Sequence, residues 1–228
     1  MRSPSVQLSH GRVRRLAVPA ALLLAATGIA GTPAVAAPAE HSDSPVFTIP
    51  PPFPPSVVGS SSLVRTDNGV SLTVQTSGLE PGHAVTLWLI VANDPADCEN
   101  GIPGVSRCGP ADHVAGNGQM SVHHGAGHLA DEDGTASYGA HLRVGDTSRA
   151  LFAGEPGLLD ARSAEVIAVL KTHGPATPGL VPDQLRTFAG GCADQSTPPH
   201  LTTRQGMLGR SGGNDCAEIQ FTAHSPNG

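Results

Sequence analysis

Aromatic side chains are almost missing from this chain. Its 228 residues include one tryptophan, Trp88, and one tyrosine, Tyr138. A stacking platform for single-stranded nucleic acid or for sugars needs several such rings, so both ligand classes are disfavoured. Lysine is scarcer still for a basic residue: Lys171 is the only one, and the other basic residues are arginine. With abundant Gly, Ala and Pro, that bias points to a GC-rich bacterial gene rather than to function. No C-x-x-C pair is present to clasp zinc. Nor is there a G-x-G-x-x-G, a P-loop, a G-x-S-x-G elbow or an H-E-x-x-H. Only one apolar run is long, Leu16 to Ala30, and it is too short to span a bilayer.

That run has the surroundings of an export signal. Arg12, Arg14 and Arg15 precede it, and Thr32-Pro33-Ala34-Val35-Ala36 follows as a small-residue cleavage site. Residues 1–36 are therefore expected to be a signal peptide, leaving a secreted chain with no transmembrane segment. Arg14-Arg15 suits a twin-arginine route as well as general secretion. Removing residues 1–36 takes four arginines away, which leaves nine basic residues against nineteen acidic ones and a formal charge of −10. Such a surface repels phosphate backbones and anionic lipid, so nucleic acid is not an expected partner. An extracellular ligand or envelope component of unspecified identity is the expectation that remains.

In an exported chain the four cysteines, Cys98, Cys108, Cys192 and Cys216, read as two disulfides. Three pairings exist. The sequence-local one, Cys98–Cys108 with Cys192–Cys216, is preferred, and the chain-entropy model gives it roughly 2.7 and 3.5 kcal/mol.

Residues 37–57 read as a Pro-rich linker around Ile49-Pro50-Pro51-Pro52-Phe53-Pro54-Pro55, an extended polyproline spacer. From Ser60 the pattern turns to β. Val70, Leu72 and Val74 alternate with Ser71, Thr73 and Gln75. Ala84 to Val91 is apolar on both faces and reads as a covered central strand with Trp88 as a core anchor. Met120–Leu129 and Ser137–Val144 flank the polar turn Asp131-Glu132-Asp133-Gly134 as a hairpin. Ala164–Leu170 is a further strand, and Ala217–His224 alternates most cleanly of all. Pro182–Phe188 suits one or two helical turns. Long loops lie at 93–116 and 145–162. The whole predicts an all-β, two-sheet Greek-key sandwich over 58–226, immunoglobulin-like, with long loops stapled by disulfides.

Several stretches are familiar in combination: Gly78-Leu79-Glu80-Pro81-Gly82 before Thr86-Leu87-Trp88, His141-Leu142-Arg143-Val144-Gly145-Asp146-Thr147-Ser148, Thr172-His173-Gly174-Pro175, and Phe188-Ala189-Gly190-Gly191-Cys192. Over roughly Gly78 to Phe221 they resemble a group of exported bacterial β-sandwich proteins of unassigned activity. The chain is also distantly similar to the chordin-type (CHRD) domain, through the His173-Gly174-Pro175 turn. That family usually carries a second histidine two residues earlier. Lys171 stands there, which removes a paired ligand. A superoxide dismutase-like sandwich is similar in shape only, because its closely spaced His-x-His is missing.

Histidine is the one enriched functional side chain, with ten after residue 36. If Ala130 pairs with Thr135, His124 faces His141, and His128 shares their side. Those three would make a zinc or copper site. Asp131, Glu132 and Asp133 lack calcium-loop spacing and read as a charged turn. Three functions follow as expectations: a non-enzymatic exported module for an unidentified ligand, a metal-binding protein on His124, His128 and His141, or a hydrolase built from the loops at 93–116 and 145–162.

Overall fold

The structure is a computed structural model and describes residues 37–49 and 55–226. The expected signal, residues 1–36, and the proline run 50–54 lie outside the described residues. Among the described residues no helix is long and apolar enough to cross a membrane.

The chain is all-β, as its alternation predicts. Among the described residues eight strands form: β1 (Glu40–Thr48), β2 (Val57–Thr66), β3 (Gly69–Thr76), β4 (His83–Ala92), β5 (Met120–Leu129), β6 (Ala136–Arg143), β7 (Glu165–Pro175) and β8 (Ala217–His224). Short α-helices, α1 (Pro110–Ala115) and α2 (Val181–Gln184), sit in the connections. All neighbouring strands are antiparallel, in the order β5-β4-β7-β8-β1-β2-β3-β6. The hydrogen bonding therefore joins the strands into one almost closed sheet and does not divide them into two.

Two places interrupt the closure. β1 meets β8 through only two residue pairs, Phe47↔Phe221 and Thr48↔Gln220, with the two phenylalanine rings 5.6 Å apart. β5 and β6 are consecutive in sequence, but no backbone ladder joins them; β5 pairs with β4 and β6 with β3. Arg149 bridges this seam, donating to Gly125 O at 3.1 Å and to His141 O at 2.6 Å. The next residues run along the β5 edge, where Leu151 N donates to Val122 O at 2.7 Å.

Period two decides what lies inside. Val85, Leu87, Leu89 and Val91 of β4 face Leu63, Leu72 and Val74 across the interior, all nearly inaccessible. Arg65 closes one end. Its guanidinium is buried and donates to the carbonyls of Ala161, Ala164 and His224 at 2.7–2.8 Å.

Residues 40–48, expected within the linker, are instead the strand β1, paired with β2 from Glu40↔Arg65 onward. Its inward positions are Ser42, Ser44 and Val46, so its alternation carries little apolar signal, and Pro45 further disguises it. The preferred disulfides, Cys98–Cys108 and Cys192–Cys216, are the pairs that form. Two bridges fit an oxidising compartment.

Candidate functional site

The outer face of β4, β5, β7 and β8 remains apolar. Ile90 of β4, Val122 of β5 and Ile167 and Val169 of β7 all point away from the interior, on the side opposite Leu89, His123 and Ala168. Two small clusters cover parts of this face. One gathers Met120, Ile167, Val169 and Phe221 against the Cys98–Cys108 bridge, and the other gathers Trp88, Val122, Leu151 and Phe152. Between them lies a groove of about 340 Å³ that members of both clusters line.

Its walls are built from loops, and buried carboxylates hold those loops. Asp112, fully buried, accepts from Glu99 N, Asn100 N, Asn100 Nδ2 and Gly109 N at 2.8–3.0 Å. Burial alone raises its pKa. The hydrogen bonds outweigh that and hold the carboxyl well below the usual carboxylate range. Glu165 accepts from Arg107 N and Cys108 N at 2.8 and 2.9 Å. Glu155 accepts from His113 Nε2 at 2.8 Å and from Val122 N at 3.1 Å, which ties α1 to the β5 edge. In the loops at 93–116 and 145–162, expected to carry a hydrolytic site, Asp112 and Glu155 are thus spent on amide donors and on one histidine.

Trp88 is 2 % exposed and edges onto Phe188, with ring centroids 5.4 Å apart. A directed chain fixes it: Trp88 Nε1 donates to Thr86 Oγ1 at 2.8 Å, and Thr86 Oγ1 lies 2.8 Å from His173 Nε2. His173 Nδ1 lies 2.9 Å from Gly190 O, which must accept, so that nitrogen carries the proton and Nε2 accepts from Thr86. Burial lowers the His173 pKa to about 4, against the Gly190 hydrogen bond and aided by Lys171 and His124.

The three histidines of the expected metal site are not brought together. A bulge at Gly125 shifts the β4–β5 register between Leu87 and Trp88. His124 consequently pairs with Trp88 on the outer side, while His128 pairs with Val85, whose side chain faces the interior. Residues four apart share a face only in an unbroken strand, so this single extra residue separates the pair. His124 Nε2 bonds Leu185 O at 3.0 Å, His141 Nδ1 bonds Ser71 Oγ at 2.9 Å, and His128 lies 3.7 Å from Asp131. Among the described residues the one tight donor group is His173, Cys192 and Cys216, within 4.8 Å of one another. Both sulfurs are spent in the disulfide, and both His173 nitrogens have partners. The oxidised protein therefore offers an ion no thiolate there.

Sequence reasoning missed the groove. Its signal was the second apolar face of β4 and β7, which had to be covered by something, together with Lys171 at the end of the outward row Ile167, Val169, Lys171. Comparison with protein-family models, curated proteins and solved structures finds no match to the chain.

Proposed function

We propose that this chain is an exported, non-enzymatic β-module that carries a small apolar ligand in the groove on the outer face of β4, β5, β7 and β8. The groove itself carries the reading: about 340 Å³ of apolar concavity with walls fixed by a disulfide and by buried carboxylates. That size and lining suit a small molecule in a preformed site. Export is supported by the arginine-led apolar run before residue 37 and by the two bridges. The chordin-type resemblance belongs to the same reading. In it, β5-β4-β7-β8 and β1-β2-β3-β6 act as two four-stranded layers hinged at the two-pair β1–β8 corner.

Burying about ten methylenes is worth about 8 kcal/mol, of which association consumes half or more. Titrating the oxidised protein with dodecanol and with a neutral naphthylamine fluorophore tests this, because Trp88 lies in the groove and is the only tryptophan. Saturable, mutually competitive binding that shifts Trp88 emission is expected. Val114, half exposed at the groove, offers a blocking site, and Val114→Arg should weaken both ligands. No saturable binding of either would refute the proposal.

A further inference from the structure

Charge breaks the apolar lining where β7 meets β8. Lys171 ends the outward row of β7, and its Nζ sits 4.2 Å above the Phe188 ring centroid. The ring face holds the ammonium at the groove but gives it no hydrogen-bond acceptor. Among the described residues no carboxylate lies within 4 Å of that nitrogen. The other polar groups of the lining are committed: His113 to Glu155, Asn100 to Asp112, and Ser106 Oγ to Ile102 N. Glu218, opposite Lys171 in the β7–β8 register, is the one other charge in the lining without such a partner, and it is exposed.

We infer that the groove's ligand is an amphiphile with a carboxylate head, the head on Lys171 and the hydrocarbon along Val169, Ile167 and Phe221. This rests on the groove binding an apolar molecule at all. The half-buried ammonium is an incomplete ion pair, and a ligand carboxylate supplies the missing acceptor with all three N–H donors available to it. Burial already disfavours the charged amine, against the pull of Glu218 and Asp194, so a counter-charge arriving there is rewarded more than on an open surface. Glu218 sets the head's charge: it repels a doubly ionised phosphate more than a carboxylate, and it is too exposed to neutralise Lys171 itself.

The test compares dodecanoate, dodecanol, dodecyl phosphate and dodecylamine on the oxidised protein and on Lys171→Met, Lys171→Gln and Glu218→Gln. Dodecanoate should bind about tenfold more tightly than dodecanol. Both Lys171 variants should abolish that preference and leave dodecanol within about twofold. Glu218→Gln should tighten dodecanoate a few-fold. Because Lys171 is the only lysine, reductive ¹³C-methylation labels it and the chain's amino terminus alone. The Lys171 resonance should move with dodecanoate and stay with dodecanol. Equal binding of dodecanoate and dodecanol overturns the carboxylate inference and leaves the groove intact. Tightest binding by dodecylamine or dodecyl phosphate also overturns it, whereas no binding by any of the four overturns the groove reading beneath it.

Discussion

Two buried histidines should make this fold acid-labile over a defined pH range. His173 and His224 are 0 % and 2 % exposed, and each has a pKa lowered from 6.5 to about 4. Burial is the main cause in both cases; Arg65 adds to it at His224, and Asp43 opposes it. His224 is held neutral between Ser42 Oγ and Ser61 Oγ, each at 2.9 Å. In the unfolded chain both rings titrate near the ordinary value. Between pH 6.5 and pH 4 the unfolded state therefore binds protons that the folded state refuses, and the unfolding free energy rises with pH. Stability is full above about pH 6.5 and is lost as pH falls towards about 4. At 1.36 kcal/mol per unit, each ring accounts for about 3 kcal/mol, and the pair for about 6 kcal/mol if additive. The rings hang from separate networks, one on Thr86 and Gly190 and the other on Ser42 and Ser61, which favours additivity. His123 and His124 shift in the same direction and add to the loss. A domain stable by about 5–15 kcal/mol loses a large share of that stability. Urea titrations at several pH values, read by Trp88 fluorescence, measure the slope. His173→Gln and His224→Gln should each flatten it while lowering stability at neutral pH. An unfolding free energy constant to within about 1 kcal/mol from pH 7 to pH 4 would refute the argument.

Two further outcomes follow from the same geometry. Arg149→Met removes both donors across the β5–β6 seam, and a loss of about 2 kcal/mol is expected, with faster amide hydrogen exchange in β5 and β6. Asp112→Asn keeps the shape but sets an amide against donors the carboxylate had satisfied; urea denaturation should show a loss of about 3 kcal/mol. The same variant loosens the 98–108 loop, so its bridge should be reduced faster by dithiothreitol.

Where an element's chemistry is local, the sequence displayed it. The alternation of Val70, Leu72 and Val74, the two apolar faces of β4 and the alternation of β8 each appear as strands where expected. The local cysteine pairing was legible for the same reason: each bridge joins cysteines consecutive in sequence across a stretch rich in turn residues. What escaped depends on partners distant in sequence. β1 is nearly polar and gains its place from Arg162 and from the β2 ladder rather than from its own pattern. At Gly125, where a Cβ would lie 3.0 Å from the Leu87 carbonyl, the β4–β5 register shifts, and that shift undid the histidine face. The groove joins residues of four strands and of the connections between them, so no window of sequence contains it. Lys171 stands where the chordin-type pattern has a histidine, and its outward position in β7 places it beside Phe188.

The contact between Phe47 and Phe221 joins strands from opposite ends of the folded chain. A polypeptide made from its amino end thus releases β1 early and must wait for β8 before the corner can zip. Hairpins such as β2–β3 can assemble meanwhile, but the ring stays open until the last strand arrives. Loss of the final dozen residues would leave β1–β2–β3–β6 and β5–β4–β7 as two exposed ribbons with sticky margins, prone to joining other copies.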